Sequence, residues 1–238
     1  MLQDVSLAQA ELKLPEVKSV RLKGVRIKKR LRLGLKKRAS RRGRSLADKS
    51  TVNVKVATGE SSAKDVDISN ISYDGQDSGK GILAVQLEST PDANDLSVSI
   101  ANINNMALQL NSTDVAGLSH VSVQNVSGSR SQLSSITVKQ SSLKSLNLSE
   151  VRFTAGGSVD ILDSKIQEHL EIYDMPKLTS FTVKDSTSAR VRIKALESVA
   201  GDLRIERHEL TGSQRAFEVD LEDAVIGGNV VVADINGA

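Results

Sequence analysis

The chain has 238 residues, a net charge of +3, no cysteine, no tryptophan and only five aromatic side chains. That length can bury a sizeable core, but the missing cysteines exclude disulfides, thiolate nucleophiles and Cys-ligated metals. A body built on Val, Leu and Ile, with so few rings, suits a narrow, layered core rather than a wide one.

The first segment, Leu2 to Leu14, reads as a short helix ending at Pro15. It has acids (Asp4, Glu11) and no apolar h-region, so neither a secretory signal nor a mitochondrial presequence is expected. No run of eighteen apolar residues follows anywhere, so no membrane span is expected. The expected place of synthesis is the cytoplasm, with a virion as a candidate destination.

Residues 18–44 then hold fourteen Lys and Arg and no Asp or Glu. Residues 1–50 carry 16 basic and 4 acidic side chains, and residues 51–238 carry 16 and 25, so a stretch near +12 precedes a body at −9. This divides the chain into a basic N-terminal arm with a hinge (1–50) and an acidic, repetitive β-rich body (51–238). In the arm Val20, Leu22, Val25, Ile27, Leu31, Leu33 and Leu35 are interleaved with cations, so as a strand it has an aliphatic face and a basic face. The hinge is expected over 39–50. Candidate contacts to nucleic acid or to another anionic surface are Arg21, Lys23, Arg26, Lys28, Lys29, Arg30, Arg32, Lys36, Lys37, Arg38, Arg41, Arg42 and Arg44. The arm has no aromatic platform, which speaks against sequence-specific single-strand recognition.

From Thr51 onward apolar residues alternate in short bursts, such as Val52/Val54/Val56, Leu83/Val85/Leu87 and Val191/Ile193. Ser, Asn, Asp and Gly separate the bursts. Twelve burst starts from Leu96 to Val230 mark eleven steps over 134 residues, a mean near twelve. Two steps make one coil of about 22–25 residues in a parallel β-solenoid. The rival is an antiparallel sandwich or barrel. Scarce hairpin dipeptides, scarce aromatics and Asn recurring near strand ends (Asn105, Asn111, Asn125, Asn147) favour the solenoid. Residues 162–170 fit either two helical turns or strand–turn–strand. The phrases Gly201-Asp202-Leu203 and Gly228-Asn229-Val230 share a form that starts a rung. The predicted core is Leu146, Leu148, Val159, Ile161, Leu170, Ile172, Phe181, Val183, Val191, Ile193, Leu203 and Ile205.

Catalytic candidates are weak. His120, His169 and His208 lack metal-ligand spacing, and the last two read as exposed charged turns. Asp160/Asp163 and Asp220/Glu222/Asp223 resemble solvated carboxylates more than a calcium site. Gly75–Gly81 has the wrong spacing for a phosphate-binding loop. We therefore expect no enzyme activity, no metal, no cofactor and no small-molecule substrate. The expected function is that of a non-enzymatic structural component of a larger assembly, such as a phage capsid or tail protein. Its arm would anchor it to nucleic acid or a neighbouring subunit, and its partners would be further copies or other subunits. The alternatives are a cellular nucleic-acid-binding or ribonucleoprotein component, and a carbohydrate-binding or carbohydrate-cleaving β-helix. Val230, Val231 and Val232 form the last burst, so an open assembly edge is expected there.

Overall fold

A computed structural model describes residues 2–3, 6–14, 22–23, 26–35, 51–57, 65–72, 81–88 and 96–237. The predicted hinge over 39–50 and the Gly75–Lys80 turn lie outside the described residues. In chain order the strands begin with Leu2–Gln3 (β1), Ser6–Leu14 (β2), Leu22–Lys23 (β3), Arg26–Leu35 (β4), Thr51–Ala57 (β5), Asp65–Ser72 (β6), Gly81–Glu88 (β7) and Leu96–Asn104 (β8). Next come Met106–Thr113 (β9), Leu118–Ser127 (β10), Ser134–Lys139 (β11), Ser142–Arg152 (β12), Gly157–Leu162 (β13), Lys165–Tyr173 (β14) and Ser180–Lys184 (β15). Thr187–Ser188 (β16), Arg190–Lys194 (β17), Ser198–Val199 (β18), Leu203–Leu210 (β19), Ala216–Val219 (β20), Val225–Ile226 (β21) and Val230–Asn236 (β22) complete the series.

All of the described pairings are parallel, which makes the fold a β-solenoid of about six turns and removes the sandwich alternative. Two long ladders run along it. One climbs through β2, β4, β6, β8, β10, β12, β14, β17 and β20. The other climbs through β5, β7, β9, β11, β13, β15, β19 and β22. In the first ladder Val98, Val121, Leu146, Leu170, Val191 and Phe217 stack in register, so one coil takes 21 to 26 residues. The twelve predicted core residues are all fully buried, and residues 162–170 are strand–turn–strand.

Two differences from the sequence reading stand at the N-terminal side. Ser6–Leu14 is a strand, not a helix, because it pairs with β4 in the register Leu12↔Leu33 and Leu14↔Leu35. Pairing of aliphatic positions outweighs the modest helix propensity of a segment this short. Strand β4, inside the basic stretch, pairs in turn with β6: Leu31↔Val66 and Leu33↔Ile68 alternate with Arg30↔Asp65 and Arg32↔Asp67. Val66 and Ile68 are buried. The register therefore places Leu31 and Leu33 beside core positions, and Arg30 and Arg32 beside acids, an arrangement that favours cross-strand pairing.

The corners explain how a straight alternation bends into a coil. Asp114, Gln140, Asp163, Asp185, Arg207 and Asp234 all have positive φ, from 48° at Arg207 to 55° at Asp114 and Asp234. They occupy equivalent corners of successive coils: the first four directly follow β9, β11, β13 and β15, and Arg207 and Asp234 bend β19 and β22 at the corresponding point. Asn102, Asn125, Glu150, Asp174 and Ala195 form a matching column at the end of the first ladder's strands. One residue in the left-handed region turns the chain and shifts the inward phase by one position. Inward residues thus run Ile100–Ile103, Val123–Val126, Leu148–Val151, Ile172–Met175 and Ile193–Leu196, all buried. Asp and Asn tolerate this conformation best among residues with a Cβ. Asn125 also donates from Nδ2 to Asn102 Oδ1 across coils at 2.7 Å. Of the Asn residues that recur near strand ends, Asn125 thus stacks its amide on another at a corner, whereas Asn111 and Asn147 lie within β9 and β12 without a positive φ.

Ala195 tests the corner argument, because alanine has neither glycine's freedom nor Asn's local hydrogen bonding. Ala195→Gly should stabilise the protein by about 0.5–1 kcal/mol and Ala195→Val should destabilise it by at least about 1 kcal/mol. Equal urea midpoints for the two variants would refute the corner argument.

Candidate assembly end

The last coil differs from those beneath it. Strand β22 pairs with β19 on one side (Leu203↔Val230, Ile205↔Val232) and with no described strand on the other. Its positions corresponding to buried Leu203 and Ile205 are open: Val230 is 50% and Val232 45% exposed. Val231, on the outer face, is half-buried. Strand β20 likewise pairs only with β17 among the described strands. Val225 is exposed, while Phe217, Val219, Leu221, Ile226 and Ile235 are partly buried against the core. Of the expected assembly edge, Val230 and Val232 thus form an exposed apolar surface with an unpaired strand beside it.

Local chemistry holds this end in shape. Asn229 donates its backbone N–H to Asp202 Oδ1 at 2.9 Å and its Nδ2 to the same oxygen at 3.3 Å, so the two rung-start phrases stack as the sequence form implies. Arg204 donates to Asp202 Oδ2 at 2.7 Å. The Asn229 N–H first, and then Arg204, hold the Asp202 carboxyl below the usual carboxylate range. The glycines have a close-approach reason: a Cβ on Gly228 would stand 2.6 Å from the Gly201 carbonyl carbon, and one on Gly227 would overlap the Ala200 carbonyl oxygen. Arg215 donates to the carbonyls of Gly212 at 2.9 Å and Gly237 at 3.3 Å, fastening the last strand's exit.

The outer face of the first ladder carries a chain of ion pairs. Arg192 donates to Glu218 at 2.9 Å and lies 4.0 Å from Glu171, and Lys194 also meets Glu218. Lys194 first, and Arg192 with it, hold the Glu218 carboxyl low. At the corner Arg207 bonds Asp185 of the coil below, which lowers the Asp185 carboxyl. These groups are exposed, so each pair contributes little alone.

The sequence reading missed a buried polar column. Just after the second ladder's corners come Ser141, Ser164, Ser186 and His208, in successive coils and all buried. Ser164 Oγ accepts the Ser141 N–H at 3.3 Å, and Ser186 Oγ accepts the Ser164 N–H at 3.1 Å. Each hydroxyl donates two residues back, Ser141 to Lys139 O, Ser164 to Leu162 O and Ser186 to Lys184 O. The serines thus satisfy backbone groups that the turn would leave buried and unpaired. In the next coil His208 takes the place of serine. It is fully buried, not an exposed turn as its charged neighbours suggest, because the positive φ at Arg207 shifts the inward phase onto it. Its Nε2 shares a hydrogen bond with Ser188 Oγ at 2.9 Å, and its Nδ1 has no partner. Burial pushes its pKa down to about 4. A signal was present: Asp163, Asp174 and Asp185 recur every eleven residues, marking both corners.

His120, by contrast, is exposed and bonds Ser145 through Nδ1, while His169 is half-buried in β14. Asp160 lies on a strand face and Asp163 at a corner; Asp220 Oδ1 accepts the Glu222 N–H at 3.1 Å. No group of three potential ligands converges on a metal position among the described residues. No described helix is long and apolar enough to cross a membrane. Of the candidate anion contacts, Lys23 falls in β3 and Arg26, Lys28, Lys29, Arg30 and Arg32 in β4. Arg21, Lys36, Lys37, Arg38, Arg41, Arg42 and Arg44 lie outside the described residues. Comparison with protein-family models, curated proteins and solved structures finds no match.

Proposed function

We propose that the protein is a non-enzymatic structural component of a larger assembly, of the kind that builds a phage capsid or tail. In this reading the acidic solenoid is the scaffold, and the basic N-terminal stretch anchors it to nucleic acid or to a neighbouring subunit. The observation that carries the reading is the exposed apolar pair Val230 and Val232, at positions that are core one coil below, on a strand whose only partner among the described strands is β19. Large apolar positions left open beside an unpaired edge are a contact surface, and isolated soluble proteins ordinarily guard against that combination. The opposite sign of charge in residues 1–50 and 51–238 supports an anchoring role for the basic stretch.

The anchor is tested by salt. Fluorescence anisotropy of a labelled DNA duplex, titrated with the full chain between 50 and 200 mM salt, should give a straight line of log affinity against log salt. Engagement of half of the fourteen cations gives a slope of roughly −6. Weak binding with a flat salt response would remove nucleic acid as the anchor's partner and leave the neighbouring subunit.

A further inference from the structure

We infer that His208 to Thr211 is an acid-operated latch: protonation of His208 frees this short side of the coil while the two long ladders stay closed. The latch is built into one coil and stands apart from the assembly reading.

Its first part is a residue of the wrong kind for its column. Ser141, Ser164 and Ser186 fill the equivalent buried position in the coils below, each hydroxyl bonding a carbonyl two residues back. His208 puts a ring there instead. A neutral imidazole has one donor and one acceptor nitrogen, and the contact of Nε2 with Ser188 Oγ suits either role. An imidazolium has two N–H donors, and Nδ1 has no partner to receive the second. A buried charge with an unmade hydrogen bond is costly, and exposing the ring relieves both.

The charged groups around the ring do not substitute for that partner. In the coil below, Asp185 is taken up by Arg207, and Lys184 stands in register with Glu206. On its own strand Glu206 bonds Arg204, and Glu209 is exposed. In the coil above, Ile235 stands in register with His208, and Asp234 is at the exposed corner. Arg215 is bonded to the carbonyls of Gly212 and Gly237. Burial accordingly pushes the His208 pKa down to about 4. The bias towards the closed form is complete above about pH 6.5 and is lost as pH falls to about 4.

The second part is a lightly held segment between two turning points. Arg207 at φ 48° and Gly212 at φ 87° bound it, and changes at two such residues re-aim the chain between them. Towards the coil below it holds by Glu209 N–H to Ser186 O at 3.0 Å and Thr211 N–H to Ser188 O at 2.8 Å, against the two-residue strand β16. Towards the coil above the pairs are His208↔Ile235 and Glu209↔Asn236. Leu203–Glu206 instead pairs over four residues with β15 and over four with β22. Opening of the latch therefore breaks few bonds, and it brings buried Leu210 and Ser188 to the surface in acid.

Amide hydrogen exchange of the full chain, read residue by residue by NMR at pH 7, 6 and 5, tests the latch, with protection referred to the intrinsic rate at each pH. Protection of the Glu209 and Thr211 amides should fall roughly 20-fold between pH 7 and 5, while the ladder amides of Phe181 and Leu203 hold theirs. His208→Ser, which restores the residue of the coils below, should keep Glu209 and Thr211 equally protected at all three pH values. If that variant melts early, His208→Gln replaces it, a polar side chain that does not titrate. Unchanged protection in the parent overturns the latch. An equal fall in the His208 variant overturns it too, by assigning the effect to carboxylates such as Asp185. A parallel fall at Phe181 and Leu203 does the same, because acid would then loosen the whole body and not one side of a coil.

Discussion

Truncating Ile172 to Ala should lower the unfolding free energy by about 2–4 kcal/mol, and Ile193→Ala should do the same. Both side chains are fully buried and stand in register in successive coils of the first ladder. Each fills a slot bounded above and below by another aliphatic, Leu148 beneath Ile172 and Val219 above Ile193. Removing three carbons leaves a cavity that parallel ladders on both sides keep from collapsing, because backbone bonds fix the coil spacing. Urea melts with an unchanged m-value are the measurement. Shifts below about 0.5 kcal/mol at both positions would mean that the inward face is wrongly assigned.

Stability should also fall by about 3 kcal/mol as pH drops from 7 to 4, through His208. Its folded pKa is about 4 against an ordinary value of 6.5, so the unfolded chain takes up a proton that the folded chain refuses. The stabilising difference is complete above pH 6.5 and disappears as pH falls to about 4. His208→Gln retains a polar group near Ser188 but does not titrate, so its stability should be nearly flat in that window. The carboxylates Asp185, Asp202 and Glu218 also have lowered pKa values, and their loss belongs to more acidic pH. A wild type and His208→Gln variant with the same slope between pH 6.5 and 4 would show that His208 is not buried as a neutral ring.

Period-two alternation was enough to find the solenoid, because each burst buries one face and the strands on both ladders use the same rule. It identified Leu146 through Ile205 correctly at every named core position. It could not locate the corners, since Gln140, Ala195 and Arg207 carry no turn signature of their own. Their conformation is imposed by stacking on Asp163, Asp174 and Asp185 in neighbouring coils. The same blind spot hid His208, whose inward direction depends on the slip at Arg207 rather than on its own sequence context. The last apolar burst pointed to Val230 and Val232, which the structure leaves exposed. The Asp202–Asn229 clasp was visible only as a repeated phrase, and Val225 was not visible at all, because it lies in the two-residue strand β21, too short to show an alternation.

The corner columns also make the molecule a graduated length. Asp163 and Asp185 are equivalent points one coil apart, so residues 163–184 form a unit that begins and ends in the same place on the cross-section. Each such unit contacts only its neighbours and adds about 4.8 Å along the axis. A gene that duplicates or drops one unit changes the protein's length by that increment and leaves its width, its faces and both of its ends as they were. The length of the solenoid is therefore counted in whole coils.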